Sequence, residues 1–318
     1  MRVTSLGSGS SGNAYLIEAG PQARTRLLVD AGFSARTLAE RLRLAGCKPE
    51  WVRGVLVTHE HSDHILGLPL LTKRHRVPIF ADPRTLDAVR AIFSSGELRS
   101  ESGALVRLEA EVSTTSEGGA SLLVREEVTL LQTSSPVASD ELWRPLPAGT
   151  SCAIGDIEIY SFPVSHDAIA PCGYVLSAGG CRVCIVTDSG EVTPVMLEAI
   201  AQADLLILES NHDRARLLSG PYPYHLKQRI LSSTGHLSNA QAAEAVLRTW
   251  RADGVRWLWL AHLSRTNNTP KLALSSMQKN LRDAGANLAH IHISALGREV
   301  SMCWDSTRLW QDTHLWEM

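Results

Sequence analysis

The sequence predicts an α/β fold whose sheets are covered by helices on their outer faces. Three observations predict it. Short apolar β-type runs alternate with helix-patterned segments along most of the chain. The 318 residues are 44% hydrophobic, enough to bury a full core. The polar, histidine-rich motifs fall where strand-like runs end, which is where sites form in α/β architectures.

The elements follow in order. VTSL, NAYLIE and TRLLVD are β-type runs separated by the turn-rich GSGSSG and AGPQAR. A helix is expected from about Ala35 to Leu44, capped by Ser34, with Leu38 and Leu42 at apolar spacing and Gly46 closing it. GVLVT at 54–58 reads as a buried strand that runs into HEHSDH. VPIFA and a helix from about Arg84 come next. Residues 95–150 break the pattern, being polar and rich in Ser and Pro, and read as an insertion with some strand content. From 156 the alternation returns with IEIYSF, GYVLSA and CRVCIVTD, then a helix opened by Thr193 and Pro194. LLILES, a helix capped by Ser238 with Gln241 at the box position, and WLWLAH follow. A capped helix near Thr269–Pro270 and a closing strand HIHIS precede a tail from about 303. The expected organisation is one domain over 1–318, carrying that insertion and that tail.

Composition excludes several classes. Formal charge is −2, so any nucleic-acid contact must rely on a local basic patch. No stretch approaches the roughly 18–20 apolar residues of a bilayer crossing, so no membrane partner is expected. Met1–Ser11 is polar and Gly/Ser-rich, unlike a secretory signal, and the expected location is cytoplasmic. Six cysteines in a chain of this size need no disulfide scaffold. Cys181 and Cys184 lie three apart in a strand and so face opposite sides, as two buried thiols rather than a metal pair.

The strongest chemical signal is Thr58-His59-Glu60-His61-Ser62-Asp63-His64. Three imidazoles and the Asp63 carboxylate are packed into one turn after a strand. Those donors suit zinc, manganese or iron, and their spacing can present two ligand pairs to two neighbouring ions. Three further residues occupy strand ends: His166 in FPVSHDA, Asp188 in CIVTDSG and His262 in LWLAHLS.

On these motifs the sequence resembles the metallo-β-lactamase fold hydrolases, whose first signature is H-x-H-x-D-H. SLGSGSSGNAYLIE, LVDAG, THEHSDH, PVSHDA, TDSG, ESNHD, YPYHLKQRILSSTGHLSNAQAA and AHLSRTNNTP together look like the YycJ/WalJ subgroup. The resemblance implies an αββα sandwich of two mixed sheets flanked by helices. It implies two divalent metal ions, zinc or manganese. His59, His61 and His166 would hold one, Asp63, His64 and His262 the other, with Asp188 bridging. It further implies a metal-dependent phosphodiester hydrolase, an exonuclease acting on DNA (or RNA) through a dinuclear-metal-activated hydroxide. Asp63 and His236 are its expected catalytic residues, with Asp63 orienting the hydroxide and His236 assisting the leaving oxygen.

Other motifs carry readings of their own. Gly235-His236-Leu237-Ser238-Asn239 opens a helix whose free N–H groups, Ser238 included, can meet a phosphate. Arg265 and Asn267 follow His262 closely and can orient that ligand or touch substrate. Tyr222, Tyr224, His225, Lys227 and Arg229 form a cationic, aromatic cluster suited to single strands, or simply a surface helix. The Ser8–Asn13 loop, with Ser10 and Asn13, is compatible with an anion nest.

The alternative is a metallo-hydrolase of a small thioester, lactone or phosphodiester on the same scaffold, since fold does not settle function. Diiron relatives of the fold carry Glu where His61 stands. Fewer than 50 residues separate Asp188 from His236, too few for an added domain of ordinary size, so substrate must be gripped by the core, the insertion or a second subunit. Six of the eight tryptophans lie from 250 onward; Trp257 and Trp259 suit core packing, while Trp304, Trp310 and Trp316 suit packing of the tail or a homodimer contact.

Overall fold

The computed structural model describes residues 1–99, 105–107, 140–251, 256–307 and 309. The strands are β1 (Arg2–Gly7), β2 (Ala14–Ala19), β3 (Thr25–Val29), β4 (Gly54–Leu56), β5 (Ile79–Ala81), β6 (Glu97–Arg99), β7 (Leu105–Arg107) and β8 (Trp143–Pro145). They continue as β9 (Ser151–Ile154), β10 (Ile157–Pro163), β11 (Cys172–Ala178), β12 (Cys181–Val186), β13 (Leu205–Glu209), β14 (Arg256–Ala261), β15 (Ile291–Ala295) and β16 (Met302–Asp305). The helices are α1 (Ala35–Leu44), α2 (Ser62–Ile65), α3 (Pro83–Ser95), α4 (Pro194–Ala201), α5 (Arg214–Ser219), α6 (Tyr224–Leu231), α7 (Asn239–Arg248) and α8 (Pro270–Asp283).

Two sheets form. One runs β16-β1-β2-β3-β4-β5-β8 and the other β15-β14-β13-β12-β11-β10-β9, while β6 and β7 pair with each other. Both are mixed: β3, β4, β5 and β8 are mutually parallel, as are β12 to β15, and the remaining pairs are antiparallel.

Alternation along each strand builds three apolar layers. In β2, Tyr15 and Ile17 enter the space between the sheets, whereas Ala14 and Leu16 face outward beneath α1 and α3. In β13, Leu205 and Ile207 point inward, while Leu206 and Leu208 meet α4, α7 and α8. Strands buried on both faces must be apolar at every position, which is why these runs lack polar alternation. Cys181 joins the inter-sheet layer and Cys184 the outer one, as their spacing requires.

The helices obey their local signals. Ser34 accepts from Thr37 N at the start of α1, and Leu38 and Leu42 form its buried stripe. Ser238 and Gln241 make a reciprocal capping box on α7. Thr193 and Thr269 cap α4 and α8, each followed by a proline in the first turn.

Two boundaries differ from expectation. The residues from about 303 begin as β16, not as a tail: Cys303 and Trp304 pair with Thr4 and Val3 of β1. The reason is burial, since Trp304 is wholly enclosed in the inter-sheet layer. The region 95–150 likewise does not stand apart from the sheet throughout. Trp143, against Phe93 of α3 and under Arg90, opens β8, which closes the first sheet beside β5. Residues 108–139 of the expected insertion, and Trp310 and Trp316, lie outside the described residues.

Candidate metal centre

The centre lies at the carboxyl ends of β4, β10, β12, β13 and β14, where the strands fix positions and the following loops converge. His59 and His61 sit in the turn after β4, and Asp63 and His64 in the single turn α2. His166 follows β10, Asp188 follows β12, and His262 follows β14. Backbone strain marks two strand ends beside the centre. Asp30, after β3, has φ 61° and His262 has φ 51°, a left-handed conformation that costs about 1–2 kcal/mol without glycine. Hydrogen bonds hold both in place. His262 N donates to Ser8 Oγ (2.8 Å) and its carbonyl accepts from Asn211 Nδ2 (3.0 Å). Asp30 accepts from Thr58 N (2.8 Å) and Thr58 Oγ1 (2.9 Å). Gly32 is required by close approach, since a Cβ there would lie 1.5 Å from the carbonyl oxygen of Asp63.

Two donor sets assemble side by side. His59, His61 and His166 bring ligand atoms within 4.8 Å of one another, and Asp63, His64 and His262 do the same. Asp188 groups with His59 and His64, between the two sets. All seven side chains are buried or nearly so. His166 Nε2, His262 Nε2, Asp63 Oδ1 and Asp188 Oδ2 are enclosed and make no hydrogen bond. Groups of this kind are rarely left unpaired in a folded interior, and divalent cations would satisfy them.

The far ring nitrogens are held from behind. His64 Nδ1 donates to Asp30 Oδ2 (2.8 Å), His166 Nδ1 to the Gly235 carbonyl (3.0 Å) and His262 Nδ1 to Glu209 Oε1 (2.9 Å). Each acceptor fixes the tautomer that leaves an Nε2 lone pair facing the centre. The residues present therefore fit divalent metal binding.

Charge is divided unevenly. Burial, with the charge of His64 and His61 added, holds the His59 imidazole well below its ordinary value. Burial likewise lowers His61 and His166. Burial also disfavours a charged His64, but Asp30, Asp63 and Asp188 outweigh it and raise that imidazole well above its usual range. His262 is raised in the same way, chiefly by Asp188 against its burial. Asp63 and Asp188 resist the upward pull of burial because these imidazoles hold them below the usual carboxylate range. The carboxylate side of the centre thus demands positive charge.

Three residues that the motifs did not single out complete the arrangement. Glu209, the last residue of β13, is fully buried. It accepts from His236 Nδ1 (2.8 Å), His262 Nδ1 (2.9 Å), Ser189 N (2.9 Å) and Leu237 N (3.1 Å). Asp30 orients His64 as described. Glu60 accepts from Ile169 N (2.9 Å), tying the HEHSDH turn to the loop that carries His166. Each lies within a quoted motif, LVDAG, ESNHD or THEHSDH, but only the folded contacts reveal its partner.

His236 is buried beside the two sets, its ring centroid 5.0 Å from that of His166 and 5.4 Å from that of His262. It borders a cavity of about 200 Å³ that is also lined by Ser10, Asn211, Tyr222, Arg229 and Ser264. Of the expected substrate contacts, Ser10 and Tyr222 reach this cavity, and Arg265 is exposed three residues after His262. The others lie away from it, three of them engaged elsewhere and Asn267 buried without a side-chain partner among the described residues. Asn13 is buried, with Nδ2 3.3 Å from Asp63 Oδ2 and 3.2 Å from His64 Nε2, so it steadies the donor set. Ser238 spends its hydroxyl in the α7 capping box, with Gln241 Oε1 at 2.7 Å. Lys227 donates to the Leu218 carbonyl (2.8 Å), and Asn267 is wholly enclosed. Tyr224, Lys227 and Arg229 lie on α6, and Arg229 pairs with Asp167 (2.5 Å).

Comparison with known proteins identifies the family. Residues 7–218 match the model of the metallo-beta-lactamase superfamily. The exodeoxyribonuclease WalJ of Streptococcus pneumoniae serotype 2 is 33% identical over 279 residues, covering 88% of this chain and 87% of the relative. The exodeoxyribonuclease YycJ of Bacillus anthracis is 32% identical over 280 residues, covering 88% and 89%. The metallo-beta-lactamase fold protein YhfI of Bacillus subtilis superposes with a TM-score of 0.60 at 16% identity, over 95% of this chain and 98% of that one. The two mixed sheets, their flanking helices and these matches agree: the chain belongs to the metallo-beta-lactamase superfamily, in its YycJ/WalJ-like subgroup.

Proposed function

We propose that the chain is a metal-dependent phosphodiester hydrolase that removes nucleotides from the ends of DNA. The observation that carries this reading is His236, held by a buried carboxylate at the border between the paired donor sets and an open cavity. The preference for DNA over RNA rests on two relatives that are named exodeoxyribonucleases.

His59, His61 and His166 would hold one divalent ion and Asp63, His64 and His262 a second, with Asp188 facing both. Zinc or manganese held there would stabilise phosphoryl charge and lower the pKa of water. The protein's own groups do the rest. Asp63 Oδ1, which makes no hydrogen bond, would accept from an attacking water and orient it. Glu209 accepts a hydrogen bond from Nδ1 of His236 and holds the ring so that, when both nitrogens carry a proton, Nε2 would donate to a phosphoryl or departing oxygen. Gly235 holds His166 through its carbonyl and passes directly into His236, so ligand and proton donor are set by one loop. Ser10, Ser264 and Tyr222 bound the space beyond, where substrate enters.

No helix among the described residues is long and apolar enough to cross a membrane, in keeping with the cytoplasmic location we propose. The test is a panel of end-labelled single- and double-stranded DNA and RNA, assayed with manganese, zinc and magnesium, with Asp63→Ala alongside. Mononucleotides released from DNA by the parent and not by the variant are expected. Turnover of a thioester or lactone with no nucleotide released under any metal would overturn the reading.

A further inference from the structure

The formal charge of −2 gives the molecule no general attraction for a polyanion, so phosphate recognition must be local. Arginines near the mouth of the centre fall into two kinds. Arg41 is absorbed by the fold: its guanidinium covers the Phe33 ring at 3.9 Å and donates to the carbonyls of Leu6 (2.8 Å) and Arg298 (2.5 Å). Arg265 and Arg298 are not absorbed. Both are exposed, and among the described residues neither guanidinium has a hydrogen bond or a carboxylate partner.

Their positions are nevertheless fixed. Arg298 follows Gly297, whose carbonyl accepts from Ser8 N (3.0 Å), and Leu296 N donates to the Leu260 carbonyl (2.8 Å). The Arg298 side chain lies over Gly9: a Cβ there would sit 3.6 Å from Arg298 Nε and 3.6 Å from the Leu263 carbonyl oxygen. Arg265 comes two residues after Leu263; partial burial, with the charge of Arg265 added, lowers Arg298. Arg298 thus lies over the loop whose next residue, Ser10, lines the cavity beside His236, and Arg265 follows the Leu263 carbonyl that faces the same glycine. An exposed guanidinium with no carboxylate partner keeps its fork of donors for a phosphate.

We infer that Arg298 and Arg265, with the Gly9–Ser10 loop between them and the centre, form a phosphate site for the nucleic-acid backbone, away from the bond that is cut. This inference rests on the exonuclease reading and adds the grip on the rest of the strand. Guanidinium contacts to phosphate carry no base readout, so the site serves any sequence.

The test measures kcat/KM of the metal-loaded enzyme on a single-stranded oligonucleotide between about 50 and 200 mM salt. Each phosphate contact on a single strand contributes a slope of about −0.7 to the log–log plot. Arg298→Ala is expected to flatten the slope by about 0.7 and to raise KM about five- to tenfold, with kcat kept. Arg298→Lys should recover much of the slope, since it restores the charge. Arg248→Ala, which removes a charge from the outer surface of α7, should leave the slope as it was. An unchanged slope and KM in Arg298→Ala, with the parent cleaving normally, would overturn this inference alone. So would a loss confined to kcat. A parent enzyme that releases no nucleotide would overturn the exonuclease reading, and this inference with it.

Discussion

Replacing Glu209 with glutamine changes one oxygen to an amide group and leaves the shape intact. The site makes that change severe. Four N–H groups face this carboxylate, two from imidazoles and two from the backbone, and the side chain is fully buried. Glutamine presents a single oxygen, so two of the four donors would meet an NH₂ group instead. Hydrogen bonds to a charged acceptor contribute about 1.5–3 kcal/mol each, so losing two costs about 3–6 kcal/mol. At roughly 2 °C per kcal/mol for a chain of this size, melting falls by about 6 °C or more. The imidazoles can recover part of the loss by moving a proton from Nδ1 to Nε2. That move places N–H where His262 should offer a lone pair, and it costs His236 the Nδ1 bond that orients its ring. Metal affinity should then drop about 10- to 100-fold, the usual effect of losing an outer partner. The assay is metal content after dialysis against a chelator buffer, with melting curves and oligonucleotide turnover on the same samples. Glu209→Gln protein that keeps its metal, its turnover and its melting point within about 1 °C would refute the reasoning.

Asp63→Ala and His61→Ala, each taking one donor from a different set, should lower both metal content and turnover by at least the same 10- to 100-fold, read by elemental analysis and nucleotide release. Ser238→Ala removes the α7 cap and should cost about 1 kcal/mol, a drop of about 2 °C in a melting curve, while KM for an oligonucleotide stays at the parent value. Burial pushes the Cys47 and Cys184 thiols up to about 12, so at pH 8 only about one in 10⁴ is thiolate. A thiol reagent at that pH should modify exposed Cys303 in the native protein and reach Cys47 and Cys184 only on unfolding. The sign of the pH effect follows: these thiols keep their protons in the fold and lose them in the unfolded chain above about pH 8.5, so denaturant midpoints should fall as pH rises past that point.

Much of this molecule is readable from residue order. Periodicity placed α1 at Ala35–Leu44, and the capping signals at Thr193, Ser238 and Thr269 placed three more helix starts, because these depend on neighbours within one turn. HEHSDH announces chemistry on its own, since crowding three imidazoles and carboxylates into one turn is unfavourable without cations. Glu209 and Asp30 escaped, because a lone acid at the end of an apolar strand looks the same whether it meets water or two imidazoles. Residue order suggests Ser238 and Asn13 as substrate contacts; in the fold the Ser238 hydroxyl also serves a cap and the Asn13 amide lies beside Asp63. Strand β16 was missed because its run is short and Gly297 and Ser301 precede it; its stability comes from Val3 and Thr4, some 300 residues away in the chain.

The distance along the chain between the donors has a kinetic consequence. Asp63 and His262 meet only after both sheets have formed and closed on each other, a late event for a topology so dominated by remote contacts. Cation uptake is therefore a reporter of final assembly. In a refolding experiment, tight capture should lag the gain of strand signal, and adding metal early should not hasten it; once held, the ions should slow the reverse opening by favouring the closed form.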